Sequence, residues 1–326
     1  MTCGTLTPKE KPLMPPTILC VTPNVAIDRT LLLSRLEQGQ VQRVRDVLVQ
    51  TGSKGVNVAR ALRTLGGTPL AMGLLGGHNG RQAAELVEAE GLAAVWTWFS
   101  GETRTCTIIV EDGGTVTVLN ENGRISADAW VQLKTDVLAH LDGVSSVCIS
   151  GSLPHGTPDS APRDMVEAVQ AAGVPVWVDL SGAPLRNAVA ALPRGVKVNG
   201  AEIGALLDQP GEDVRSAAAA GRVLYERGIE TVVVTLGALG AVLVDKDDAV
   251  YVPAPKIDAI SDVGSGDSFL AAMALAYCSS QDAVTALRWG VAAGAANTLL
   301  PGAAQFTRNM FDELRMQIEQ HPVERV

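Results

Sequence analysis

The stretch Asp262–Tyr277, DVGSGDSFLAAMALAY, sets Gly264 and Gly266 just ahead of Asp267 and follows them with small and apolar residues that read as a buried helix. A helix start leaves backbone N–H groups unpaired and carries a partial positive charge, so it attracts anions. A carboxylate beside such a start is suited to taking a proton from a hydroxyl that attacks a phosphoryl group. The same residues also fit a plain helix N-cap after a glycine turn, with Asp267 as the capping side chain.

Other segments hold groups of the same kind. TPNVAID (22–28) closes an apolar strand and carries Asn24 and Asp28, which could accept hydrogen bonds from a polyol or simply shape a turn. QTGSKGVNVARALRTLGG (50–67) places Gly52, Lys54 and Gly55 ahead of an amphipathic helix, with Asn57 in its first turn. That arrangement resembles an anion loop, although the P-loop spacing is absent. Arg104, in ETRTC, could fork onto a phosphate or stand in solvent. VKVNGAEIGALL (196–207) brings together Lys197, Asn199 and Glu202. The amide and carboxylate could hold Mg²⁺ through water, and they also read as a helix capping pair. TLGALGA (235–241) offers Thr235, Gly237 and Gly240 at another strand end, where nucleotide phosphates could meet backbone.

The elements that must position these residues follow one rhythm. Apolar runs at 17–23, 68–76, 145–151, 174–182, 196–200 and 231–237 alternate with helical stretches near 55–65, 80–91, 126–141, 159–172, 201–208, 213–227, 267–279 and 282–299. Strands that are apolar throughout and separated by helices predict an α/β fold, a doubly wound and mostly parallel sheet with helices on both faces. Residues 29–50 and 103–119 instead alternate polar and apolar, and the second contains the turn signal EDGG. These are expected to form antiparallel strands of a small separate β-sheet lid. A disordered tail is expected at 1–16 and a single α/β domain over 17–326.

Composition narrows the class. Hydrophobic residues make up 47% and charged residues 19%, a globular balance. The net charge of −9 argues against a nucleic-acid surface, which needs a basic stripe. Five scattered cysteines without a C-x-x-C pair fit free thiols in a reducing compartment. No uninterrupted apolar run reaches the roughly 18 residues of a membrane span, and no signal-peptide core is evident. The expectation is a cytoplasmic protein without a membrane or nucleic-acid partner.

The order of TPNVAID, TGSKGVNVARAL, ETRTCTIIV, VCISGSLPHG, KVNGAEI, VVVTLGALGAVLV, DVGSGDS and GAANTLLPG resembles the PfkB-type, ribokinase-like carbohydrate kinases over residues 17–315. The likeness is strongest to the branch that phosphorylates sugar phosphates. It implies ATP-dependent phosphorylation of fructose 1-phosphate to fructose 1,6-bisphosphate, with tagatose 6-phosphate or fructose 6-phosphate as alternative acceptors. An unphosphorylated-sugar kinase and an inert ligand-binding regulator are the more distant readings. The resemblance makes Asp267 the general base and the N–H groups of Gly264, Ser265 and Gly266 the anion hole. It gives the sugar to Asp28, Gly52, Lys54 and Asn57, beside the Asn24 already singled out, and the phosphate already on it to Lys54 and Arg104. It gives ATP and Mg²⁺ to Lys197, Asn199 and Glu202, nucleotide contacts to Thr235, Gly237 and Gly240, and the adenine pocket to Asn297. A monovalent-cation site and a homodimer formed through the lid occur in some members. This chain departs from the family pattern at Ser53, Val198, Ser265 and Asp262, where glycine, proline, alanine and a hydroxyl residue are usual.

Overall fold

A computed structural model describes residues 15–326, so the tail expected at 1–16 lies outside the described residues except for its last two positions. The chain opens on strand β1 (Thr17–Thr22), buried over its last five residues. Strands β2 (Ala26–Leu33) and β3 (Asp46–Gly52) then leave for a second sheet, and helix α1 (Lys54–Thr64) leads back to β4 (Thr68–Leu75), α2 (Gly77–Ala89) and β5 (Ala94–Trp98). Strands β6 (Arg104–Glu111) and β7 (Val116–Asn120) complete the second sheet. The other half runs through α3 (Ala127–Ala139), β8 (Val144–Ser150), α4 (Ala161–Ala171), β9 (Val176–Asp179), α5 (Gly182–Val189), β10 (Gly195–Asn199) and α6 (Gly200–Leu207). It continues with α7 (Val214–Glu226), β11 (Thr231–Thr235), β12 (Gly240–Val244) and β13 (Ala249–Pro253). Helices α8 (Ser265–Cys278), α9 (Ala283–Thr298) and α10 (Arg308–Glu319) and the short strand β14 (Glu324–Arg325) end the chain.

The main sheet has the order β14-β13-β12-β11-β10-β9-β8-β1-β4-β5 and is parallel from β11 to β5. One face is covered by α1, α8, α9 and α10 around Leu62, Leu270, Leu287 and Phe311. The opposite face is covered by α3 to α7 around Leu133, Met165, Leu185, Ile203 and Leu224. The winding reverses between β1 and β8, so a crevice opens above the carboxyl ends of these strands. Among the described residues, no helix is long and apolar enough to cross a membrane.

The small sheet has the order β3-β2-β6-β7. Its outer pairs are antiparallel, but the central pair β2–β6 is parallel, which corrects the expectation of antiparallel strands throughout. The physical reason is the connection: α1, β4, α2 and β5 intervene between the two strands, and such a crossover delivers a parallel neighbour. Residues 34–45 form the loop between β2 and β3. The turn at EDGG is present, with Gly114 donating to the Glu111 carbonyl at 2.9 Å.

Candidate active site

The crevice is a cleft of about 1080 Å³. Its floor comes from the ends of main-sheet strands at Thr22, Gly151, Asn199 and Thr235 and from the start of α8, and the small sheet contributes Asp28, Arg104, Cys106 and Asn120.

Asp267 is 5% exposed and stands on this floor. Gly264 is the N-cap of α8, at φ +84°, so Asp267 is the third helical residue and not the cap. Its Oδ2 accepts a hydrogen bond from Asn57 Nδ2 at 2.8 Å. A side chain at Gly264 would also press on the Ala303 backbone, 2.8 Å from an added Cβ, so the left-handed turn is tightly enclosed. Within the turn, Ser265 N–H donates to the Asp262 carbonyl at 3.1 Å and is thereby spent. The N–H groups of Gly264, Gly266 and Asp267 find no acceptor among the described residues. The open donors therefore differ from the expected set by one residue. Gly266 is needed for clearance as well, because an added Cβ would lie 2.7 Å from Lys197 Nζ. Burial pushes the Asp267 carboxyl up to about 6. The charge of Asp179 adds to this, while Lys54, the Asn57 hydrogen bond and Lys197 oppose it.

Asp179 is the residue that sequence reasoning missed. It closes β9, is fully buried, and accepts from Lys54 Nζ at 2.8 Å and Lys197 Nζ at 2.7 Å. Burial acts to raise its carboxyl, but the two ammonium groups outweigh burial and hold it below the usual range. Desolvation works against the Lys54 charge, and Asp179 overrides it and raises that ammonium. The two lysines expected to serve separate ligands thus share one carboxylate. Its position at a strand's carboxyl end, in VPVWVDLSG, was the available signal.

Asn24 and Asp28 sit where β1 passes into β2. Asn24 Nδ2 donates to Ser152 Oγ at 3.0 Å, and the Asn24 carbonyl accepts from Ser53 Oγ at 2.9 Å and from Arg104 Nε and Nη2 at 3.4 Å each. Burial pushes the Asp28 carboxyl up to about 6 against the charges of Arg104 and Arg60 and the Cys106 hydrogen bond. Gly52 is off the cleft wall, and any Cβ there would overlap the Asp28 carboxylate, so this glycine makes room for Asp28.

Ser53 has φ +118° and ψ 146°, a region that only glycine enters freely. Its hydroxyl bond to Asn24 accompanies that strain. Ser53→Ala keeps the backbone strain and loses the bond, and is expected to lower the unfolding free energy by about 1 kcal/mol. Ser53→Gly relieves strain of about 1–3 kcal/mol and is expected to be more stable than Ser53→Ala. Urea unfolding compares the two, and equal midpoints would show that the serine is unstrained.

On the other side of the cleft, Asn199 and Glu202 form a reciprocal capping box. Glu202 N–H donates to Asn199 Oδ1 at 2.8 Å, and Asn199 N–H donates to Glu202 Oε2 at 2.9 Å. Glu202 keeps Oε1 for other partners. Among the described residues, no group of three or more His, Cys, Asp or Glu could hold a metal alone. Thr235 Oγ1 donates to the Val198 carbonyl at 3.3 Å. Gly237 has φ +58° and open space where a Cβ would be, an unobstructed approach to backbone. Gly240 also lines the cleft, and at φ +114° it packs against Val252 and Pro253 of β13. Asn297 does not reach the cleft. It is fully buried, donates to the Val263 carbonyl at 2.8 Å and to Ser265 Oγ at 3.0 Å, and accepts from Ala304 N–H at 2.6 Å. It pins the turn before α8, with both amide hydrogens committed there.

A doubly wound sheet, a small sheet over its switch point and a buried carboxylate beside open helix N–H groups define a ribokinase-like kinase fold. Residues 19–309 match the pfkB family of carbohydrate kinases, and the chain belongs to that family. It is 36% identical over 264 residues to 1-phosphofructokinase from Xanthomonas campestris pv. campestris, covering 79% of this chain and 83% of that protein. The structure of phosphofructokinase-2 from Escherichia coli in complex with potassium superposes with a TM-score of 0.88 at 27% identity, over 94% of this chain and 100% of that one. The same enzyme in complex with fructose-6-phosphate gives 0.86 at 26% identity, again covering 94% of this chain and 100% of that one.

Proposed function

We propose that this protein transfers the γ-phosphoryl of ATP to the free primary hydroxyl of fructose 1-phosphate, forming fructose 1,6-bisphosphate. The carrying observation is Asp267, a buried carboxylate held by Asn57 beside the open N–H groups at the start of α8. Asp267 takes the acceptor proton, and the N–H groups of Gly264, Gly266 and Asp267 receive charge developing on the transferred phosphoryl oxygens. Asn24, Asp28 and Asn57 hold sugar hydroxyls, and Arg104 meets the phosphate the sugar already carries. Lys54 and Lys197, levelled by Asp179, supply positive charge along the transfer path. The donor set fits Mg²⁺, which keeps most of its waters and needs one carboxylate plus substrate phosphates. Glu202 Oε1 is that carboxylate, and the ion would neutralise phosphate charge. Asp262, on the cleft wall, is the group to which a monovalent cation would be drawn, a reading supported by the potassium complex of the related phosphofructokinase-2.

The fructose-6-phosphate complex of the relative supports a second acceptor reading. ADP release measured with fructose 1-phosphate, fructose 6-phosphate and tagatose 6-phosphate decides between them, and the highest kcat/KM is expected with fructose 1-phosphate. Because an ionised Asp267 is required and its carboxyl is pushed up to about 6, kcat is expected to fall as pH drops through that value. A kcat flat down to pH ~4 would remove Asp267 as the base.

One face of the small sheet exposes Leu48, Val116 and Val118 by 47–49%, and Val118 also lines the cleft. Such a patch is the place where two copies would pair. Lysines at both Leu48 and Val116 are expected to convert a dimer to monomer in sedimentation. A wild-type chain that is already monomeric would sink this pairing.

A further inference from the structure

We infer that Arg60 is a positioning residue for phosphoryl transfer: it fixes the orientation of the Asn57 amide, and through that amide the hydrogen bonding of Asp267. The inference rests on the reading of Asp267 as the base.

Arg60 lies one turn beyond Asn57 on α1 and is 3% exposed. Its guanidinium is gripped from behind by Glu90, at the end of α2, with Nε to Oε2 at 2.6 Å and Nη2 to Oε1 at 2.7 Å. Nη2 also donates to the Thr51 carbonyl at 2.7 Å, in the strand that carries Gly52. The remaining arm, Nη1, donates to Asn57 Oδ1 at 2.8 Å.

A guanidinium has donors and no acceptor. It therefore compels Asn57 to turn its oxygen toward Arg60 and its nitrogen toward Asp267. Nδ2 then donates to Asp267 Oδ2 at 2.8 Å, which occupies that oxygen and leaves Oδ1 for the acceptor hydroxyl. Without Arg60, the amide is free to rotate its carbonyl toward the carboxylate, an acceptor facing an acceptor. The chain Glu90–Arg60–Asn57–Asp267 ties two helices and a lid strand to the reacting carboxylate, and Glu90 is only 26% exposed at its outer end.

The groups acting on Asp267 are Asn57 and Lys54 from α1, Asp179 from β9 and Lys197 from β10. Arg60 bonds to Asn57 and Asn57 bonds to Asp267, so the influence of Arg60 is carried by the amide. Losing the Asn57 bond removes something that favours the ionised form, and the acid limb of the kcat–pH profile moves upward.

The test is a double-mutant cycle between Arg60→Met and Asn57→Leu, read as kcat, sugar-phosphate KM and the acid limb. Arg60→Met is expected to lower kcat roughly 10- to 100-fold, with a much smaller change in KM, and to raise the acid limb. In the Asn57→Leu background it is expected to change kcat by less than about twofold. Arg60→Lys guards against a folding defect: it keeps the ion pair with Glu90, but one ammonium cannot hold Glu90, Thr51 and Asn57 together. It is expected to unfold as cooperatively as the parent and still to show the raised limb. Effects that multiply in the double variant, or a parental pH profile in a folded Arg60→Lys protein, overturn the inference. Asp267→Asn measured alongside separates the two readings: if it keeps turnover, the base assignment fails, whereas an inactive Asp267→Asn with multiplicative effects at Arg60 and Asn57 defeats the positioning role alone.

Discussion

Asp267→Asn is expected to reduce kcat by about 10²–10⁴-fold while sugar-phosphate binding survives. The replacement is close in shape, so the site should keep its geometry, and the amide cannot accept a proton from the attacking hydroxyl. Stability should hold or rise. The wild-type carboxylate is buried against the charge of Asp179, and a neutral amide removes that repulsion. Steady-state kinetics, sugar-phosphate titration and thermal unfolding on one preparation check all three expectations. A variant with near-parental kcat would end the assignment of Asp267 as the base. A variant that fails to bind the sugar phosphate would instead place Asp267 in ground-state binding.

Asp179→Leu is expected to cost about 3–5 kcal/mol of stability, because removing one member of a buried charged cluster leaves the others unpaired. The burden falls on Lys197, the more deeply buried of the two, whose side chain is 6% exposed. Lys54, at 38%, can turn toward solvent, so its share is discounted. Lys197→Met added to Asp179→Leu is expected to recover much of the loss, since an apolar pair can replace a buried ion pair. Urea unfolding of the parent, the single and the double variants reads this directly. An unchanged midpoint for Asp179→Leu would show that the two lysines are already adequately solvated.

The six strands legible in the sequence were those buried on both faces, whose apolar runs cannot be mistaken for surface segments. The β12–β13 hairpin was harder to see, because Gly237 and Gly240, in the turn from β11 into β12, read as a phosphate loop and masked the start of β12. Helix α5 was hidden by its length of eight residues with Gly182 and Pro184 in its first turn. Helix α10 did carry a signal in the spacing of Phe311, Leu314 and Ile318, set in an otherwise polar segment.

The site shows the same division. Glycine turns, strand ends and helix starts are local features, so the sequence by itself determined the fold class and located Asp267, Lys54, Asn57, Asn199 and Glu202 at strand ends and helix starts that could meet. Which side chains touch is a matter of long-range register, and only the tertiary structure decided it. It brought Asn57 to Asp267 across 210 positions and Lys54 to Asp179 across 125. It turned Asn297 inward to hold a turn, and it spent the Ser265 N–H on Asp262. Hydrogen-bond partners in a buried cluster compete for a fixed number of donors and acceptors, and that competition is resolved only when every element packed around the cluster is in place.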